Sequence, residues 1–111
     1  MIAKKHKVER NLINSILKKG KSKTSKLFII RYSENRQEYS RYCTIISRKV
    51  SLSAVERNKK RRQIYEAIRI ISEETPPQTN IDLILIPKKQ ILSATYQEIE
   101  KDIREIINTH G

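Results

Sequence analysis

Residues 57 to 62, Arg57-Asn58-Lys59-Lys60-Arg61-Arg62, put five cations and one carboxamide into six consecutive positions. Guanidinium groups take phosphate oxygens in pairs, an ammonium acts as a point charge, and an Asn side chain both donates to and accepts from a ribose or base edge. Just upstream, Ser47-Arg48-Lys49-Val50 adds two more cations at an expected strand end. This chemistry suits RNA or DNA backbone, and the blander reading of the same run is a solvated basic face or a localisation signal. Nothing comparable is present for bond cleavage, which would need metal-binding carboxylates or a positioned base. Glu73, Glu74, Glu98, Glu100, Asp102 and Glu105 share their helix surfaces with Lys101 and Arg104, the pattern of a solvated face. His6 and His110 lie at opposite ends of the chain. We therefore expect no catalytic residue and no protein metal site.

The cations need elements to hold them, and 111 residues set a limit on those. A chain of this length buries roughly two-thirds of its unfolded surface, enough for one core and no interdomain cleft. Its net charge is +12, distributed unevenly: residues 1–69 hold 20 Lys or Arg and 5 Asp or Glu, while residues 70–111 hold 4 and 7. A polyanion footprint concentrates charge in this way, with nucleic acid the leading partner over a solvated surface or a patch on anionic lipid. Apolar runs of four residues or fewer are far short of the roughly 20 of a membrane span, and no signal-peptide core follows the basic N-terminus. Cys43 is the sole cysteine, so an internal disulfide is excluded, a zinc site is not expected, and a reducing compartment, the cytoplasm, is expected.

Val8, Leu12, Ile13, Ile16 and Leu17 recur at helical spacing, predicting a helix over 7–19 that stops at Gly20. The polar stretch 21–26 reads as a loop, 27–32 as a strand, and 39–50 as a second strand with a break near Ser47. Ser53-Ala54-Val55-Glu56 has the capping-box form, opening a helix over 54–74 whose inward positions are Ala54, Val55, Ile64, Ala67, Ile68 and Ile71, ahead of Pro76-Pro77. On that helix Arg57, Lys60 and Arg61 are expected on one outward side. Residues 81–86 are apolar on both faces after Asp82, the mark of a central strand. Thr95-Tyr96-Gln97-Glu98 repeats the capping box before a last helix with Ile99, Ile103, Ile106 and Ile107 inward. The expected order is αβββαβα, its third strand arising from the break near Ser47.

Ser47-Arg48-Lys49-Val50, then Ala54-Val55-Glu56-Arg57-Asn58-Lys59-Lys60-Arg61-Arg62, then Ile64 and Ala67, resembles the signature of the bacterial ribonuclease P protein subunit. The helix ending at Gly20, Phe28 in the first strand, Asp82-Leu83-Ile84-Leu85-Ile86-Pro87-Lys88 and the C-terminal helix follow that family's order. Three features depart from it: Ser51-Leu52-Ser53 replaces a shorter Gly-containing link, Ile13 and Leu17 stand where Phe is frequent, and Lys60, Gln63 and Tyr65 replace residues that are often Ile, Leu and Arg. The resemblance implies an α+β fold in one RNA-binding domain over residues 1–111, an α/β sandwich with a mixed four-stranded sheet, flanking helices and a left-handed βαβ crossover. It also implies a subunit that binds a catalytic ribonuclease P RNA and precursor tRNA, assisting removal of the 5′ leader with Mg²⁺ held mainly by the RNA. No membrane and no obligate protein partner is implied. Carried over, Arg48, Lys49, Arg57, Asn58, Lys59, Lys60, Arg61 and Arg62 would contact RNA. Ile13, Leu17 and Phe28 would floor a cleft for the single-stranded leader, with ordinary core the alternative for each. A structural RNA-binding protein, ribosomal or assembly-related, is the competing function, and a duplex DNA binder the third.

Overall fold

The computed structural model describes residue 8 and residues 10–35, 39–74 and 80–110. Its elements are α1 (Arg10–Lys19), β1 (Lys21–Thr24), β2 (Phe28–Glu34), β3 (Arg41–Thr44), α2 (Ala54–Glu74), β4 (Ile81–Pro87), a 3₁₀ helix (Lys89–Ser93) and α3 (Tyr96–His110). The expected residues 1–7 and the Pro76-Pro77 stop lie outside the described residues.

One mixed sheet runs β1-β2-β4-β3, in which β4 pairs antiparallel with β2 and parallel with β3. The apolar run of β4 is buried along nearly its whole length because helices cover both of its faces. On one side α2 and α3 pack on Phe28, Ile30, Leu83 and Leu85 through Ile64, Ile68, Ile71, Ile99 and Ile103. On the other, α1 lays Ile16, with Leu12, Ile13 and Leu17, over Ile84, Ile86, Cys43 and Ile45. The parallel connection β3-α2-β4 carries the basic run, so the sheet fixes the helix on which those cations ride.

Residues 21–24 correct the expected loop. They form the edge strand β1, with Lys21 opposite Tyr32 and Thr24 opposite Ile29. All four side chains are exposed, and an edge strand bonded only through its backbone needs no apolar alternation; its lysines also discourage pairing with another chain. The third strand is therefore upstream of β2. Residues 39–50 supply only the short β3, after which Ile45 N donates to Leu85 O at 3.1 Å and the chain turns, with Val50 N bonded to Ser47 O at 3.1 Å.

Gly20 ends α1 for a reason other than a left-handed cap, since no residue described has a positive φ. Its amide donates to Ile16 O at 2.8 Å, and a Cβ here would lie 2.5 Å from that oxygen and 2.9 Å from Tyr32 O. The tight passage from helix to edge strand has no room for a side chain. At the far side of the sheet, Asp102 of α3 accepts from Ser25 Oγ at 2.7 Å and Leu27 N at 3.0 Å, fastening the last helix to the β1-β2 turn.

The candidate nucleic-acid interface

The start of α2 is built by a relayed cap. Ser53 Oγ accepts from Glu56 N at 3.2 Å, as the capping box requires. The Glu56 carboxylate, expected to reach back to the Ser53 amide, instead takes Ser51 Oγ at 2.7 Å, and Ser53 N donates to Ser51 Oγ at 3.1 Å. The extra serine of the 51–53 link thus stands between the two halves of the box. The cap of α3 is fully reciprocal: Thr95 N donates to Glu98 Oε1 at 3.0 Å and Glu98 N to Thr95 Oγ1 at 3.2 Å. Those bonds to Thr95 hold the Glu98 carboxyl below its ordinary value.

From that cap the basic run unfolds over two turns. Asn58, Lys59 and Arg62 are exposed, and Arg57 and Arg61 half-buried. Arg57 Nη1 donates to Ser51 O at 2.8 Å and Arg61 Nη1 to Asn58 Oδ1, so both guanidinium groups are braced before any partner arrives. Arg48 and Lys49 are exposed in the turn ahead of the cap. No carboxylate of a described residue pairs with Arg48, Lys49, Lys59 or Arg62. The acids of the later helices are engaged elsewhere. Arg69 holds Glu66 at 2.5 Å and Glu73 at 3.3 Å, while Arg104 holds Glu74 at 3.0 Å and Glu100 at 2.9 Å. These exposed pairs contribute little to stability, but they keep these acids away from the exposed cations of the basic run.

Lys60 does not join them. Its residue is buried, and its ammonium donates to Ala94 O at 2.9 Å beyond the 3₁₀ helix. Position 60 precedes Ile64, Ala67 and Ile71 by four, seven and eleven residues, so it lies on the inward stripe of α2. That spacing was legible in the sequence; the surrounding charge obscured it. Conversely, Val55, expected inward, is 79% exposed, and Leu52 beside it 86%. The first turn of α2 projects past the core. Burial, then the neighbouring Lys59, lowers the Lys60 ammonium from its ordinary value, and Glu56 partly offsets this. The charged form therefore costs stability below the folded pKa, and that cost is relieved as pH rises toward the ordinary lysine value. Lys60→Met should leave RNA affinity within about twofold and the salt dependence unchanged, because no phosphate contact is lost. A slope shallower by about one unit in salt titrations would return Lys60 to the interface.

The second expected site divides across the sheet. Ile13 and Leu17 of α1 lie half-buried over the face made by Ile84, Cys43, Ile45 and Ile86. Phe28 does not meet them: it is fully buried in the opposite core with Ile30, under α2 and α3. Successive strand residues face opposite ways, so the β2 residues that share the α1 face are Ile29 and Arg31. Ile29 is 39% exposed. Arg31 Nη2 donates to Leu17 O, while its Nε is buried without a partner. Both were missed, and the period-two signal from Phe28 could have found them.

The fold and site together define a small basic α+β protein with a cationic helix face that no acid of a described residue pairs, and a separate, partly exposed apolar surface along α1. Residues 2–111 match the family described as Ribonuclease P. The Ribonuclease P protein component of Clostridioides difficile (strain 630) is 34% identical over 93 residues, 83% of this chain and 79% of that protein. That of Clostridium kluyveri is 28% identical over 107 residues, 96% of this chain and 95% of its own. Among solved structures, the RNase P protein from Thermotoga maritima superposes with a TM-score of 0.81 at 23% identity, covering 93% of this chain and 96% of that one. A mutant RNase P protein from Staphylococcus aureus gives 0.80 at 24%, covering 96% and 87%. These likenesses show the shared fold. The chain belongs to the ribonuclease P protein family, the protein components of a tRNA-processing ribonuclease. No helix among the described residues is long and apolar enough to cross a membrane.

Proposed function

We propose that this chain binds the catalytic RNA of ribonuclease P through the α2 face and the 5′ leader of precursor tRNA along the partly exposed apolar surface beside α1, assisting RNA-catalysed leader removal. The observation that carries the reading is the set Arg48 and Lys49, exposed in the turn ahead of α2, with Lys59 and Arg62, exposed on its first turns, none paired to an acid of a described residue. Cations so placed screen phosphate repulsion where an RNA fold and its substrate converge. On that side of the sheet, Ile13, Leu17 and Ile29 offer apolar contact, and Arg31 a cation. The described residues offer no group of three or more His, Cys, Asp or Glu for a metal ion. In this reading Mg²⁺ is held mainly by the RNA, as the family resemblance implies, and the role proposed for the protein does not pass through it.

Reconstitution with a bacterial ribonuclease P RNA tests this. Added protein should lower the Mg²⁺ needed for precursor-tRNA cleavage and strengthen binding of substrates carrying a leader over mature tRNA. If neither changes while RNA is still bound, the chain is a structural RNA-binding protein instead.

A further inference from the structure

Among the described residues three large apolar side chains are exposed, and the two that stand furthest into solvent, Leu52 and Val55, are neighbours at the entry to α2. Single exposed apolar residues are ordinary, but this pair is presented by a turn that polar bonds hold. Ser53 is the N-cap, so Leu52 occupies the position whose side chain usually packs on the fourth helical residue. Here that residue is Arg57, and its guanidinium goes to Ser51 O. The turn is fastened through Ser51 Oγ, which donates to Glu56 and accepts from Ser53 N. Apolar packing therefore has no part in shaping it, and both apolar side chains face outward. Leu52 also belongs to the link in which the sequence departs from its family's shorter, Gly-containing one.

Helix geometry aligns Val55 with the exposed cations. Lys59 and Arg62 follow it by four and seven residues, on one stripe of α2, about 6 Å and about 10 Å further along the axis. Neither pairs with an acid of a described residue, and Arg48 and Lys49, likewise unpaired by any, precede Leu52 in the turn. Glu56, the acid of the first turn, is engaged with Ser51 Oγ at 2.7 Å. An occupant has to bring negative charge for the cations and apolar area for the pair between them. A continuous RNA duplex brings only the charge, because its base faces are stacked on one another. An unstacked nucleotide brings both, a flat base face and the phosphates that flank it. A protein surface would need carboxylates set around an apolar patch, whereas the RNA read to bind these same cations carries its charge on every nucleotide.

We propose that Leu52 and Val55 pack against the face of an unpaired base of the ribonuclease P RNA, with neighbouring phosphates at Lys59 and Arg62 on one side and at Arg48 and Lys49 on the other. The proposal rests on the RNA-binding reading above and adds to it a contact independent of charge, apart from the surface beside α1.

The test combines Leu52→Ser and Val55→Thr in one protein and titrates it with the ribonuclease P RNA across a salt series. Both side chains are exposed, so thermal unfolding followed by circular dichroism should barely move. RNA affinity should fall about tenfold, short of the effect of fully burying a Leu and a Val, with the salt slope unchanged because no phosphate contact is lost. Lys59→Ala should instead make the slope shallower by about one unit. A photoreactive benzophenone amino acid in place of Leu52 should crosslink to a nucleotide that is unpaired in the free RNA, and this result decides if the double variant proves unstable. Wild-type affinity for the folded double variant, or a crosslink that is absent or falls within continuous duplex, overturns the base contact while salt-dependent RNA binding persists. The contact is equally overturned if the double variant keeps its RNA affinity and loses a self-association that the wild-type protein shows in sedimentation, since the occupant is then a second copy of this chain. Absence of salt-dependent binding by the wild-type protein overturns the RNA reading itself, and this contact with it.

Discussion

Asp82→Ala should lower the unfolding free energy by about 3–5 kcal/mol, the scale for removing one partner of a buried ion pair. Asp82 accepts from Arg41 Nε at 2.8 Å and Nη2 at 2.7 Å, and from Asn35 Nδ2 at 2.8 Å. The pair is well covered, with side-chain exposures of 12% for Arg41 and 8% for Asp82. Asp82 sits directly opposite Arg41 in the parallel β3-β4 register and opposite Ser33 on β2, so one carboxylate joins all three strands at that end of the sheet. Truncation would take from the largely buried Arg41 guanidinium the carboxylate that accepts from both its Nε and its Nη2. A domain of this size has about 5–15 kcal/mol in total, so the variant should approach unfolding at ambient temperature. Urea titration reads this as a midpoint shift at constant slope. A loss under about 1 kcal/mol would mean that Arg41 finds water or another acceptor, and that the pair is not what holds β3 to β4.

Replacing Arg48, Lys49, Lys59 and Arg62 together by Ala should weaken RNA binding on the order of 10²–10³-fold near physiological salt. The plot of log affinity against log salt should become shallower by about three units, because each phosphate contact contributes roughly 0.7–0.9 of a unit. Thermal unfolding should barely move, since these side chains pair with no acid of a described residue. The measurement is fluorescence anisotropy with the ribonuclease P RNA from about 50 to 300 mM salt. An unchanged slope would place the RNA on another face. Arg57 and Arg61 are left out because each also braces the protein, at Ser51 O and Asn58 Oδ1, and their loss would mix folding with binding.

Much of the architecture was legible along the chain. Ile99, Ile103, Ile106 and Ile107 announced the inward face of α3, and the Thr95 box formed as its sequence implied. The unbroken apolar run of β4 identified a strand covered on both faces before any neighbour was known. The edge strand β1 was not legible, because Lys-Ser-Lys-Thr carries no signal until β2 offers it a backbone to pair with.

At the candidate interface the division is finer. The position of Lys60 four residues before Ile64 was in the sequence, yet only Ala94 O, brought there by the 3₁₀ helix, shows what receives its ammonium. Phe28 was expected to floor a leader cleft with Ile13 and Leu17, with ordinary core the alternative; the structure puts it in the core away from α1, and one step of register would exchange Phe28 for Ile29.

Period, charge and capping are local properties, and they determined the amphipathic helices, the central strand and the cationic run from the amino-acid sequence alone. Which cations remain exposed and which side of the sheet α1 covers were decided only in three dimensions. The reason is physical: burial and pairing depend on residues far apart in the chain, and strand parity alone cannot tell which helix will cover which face.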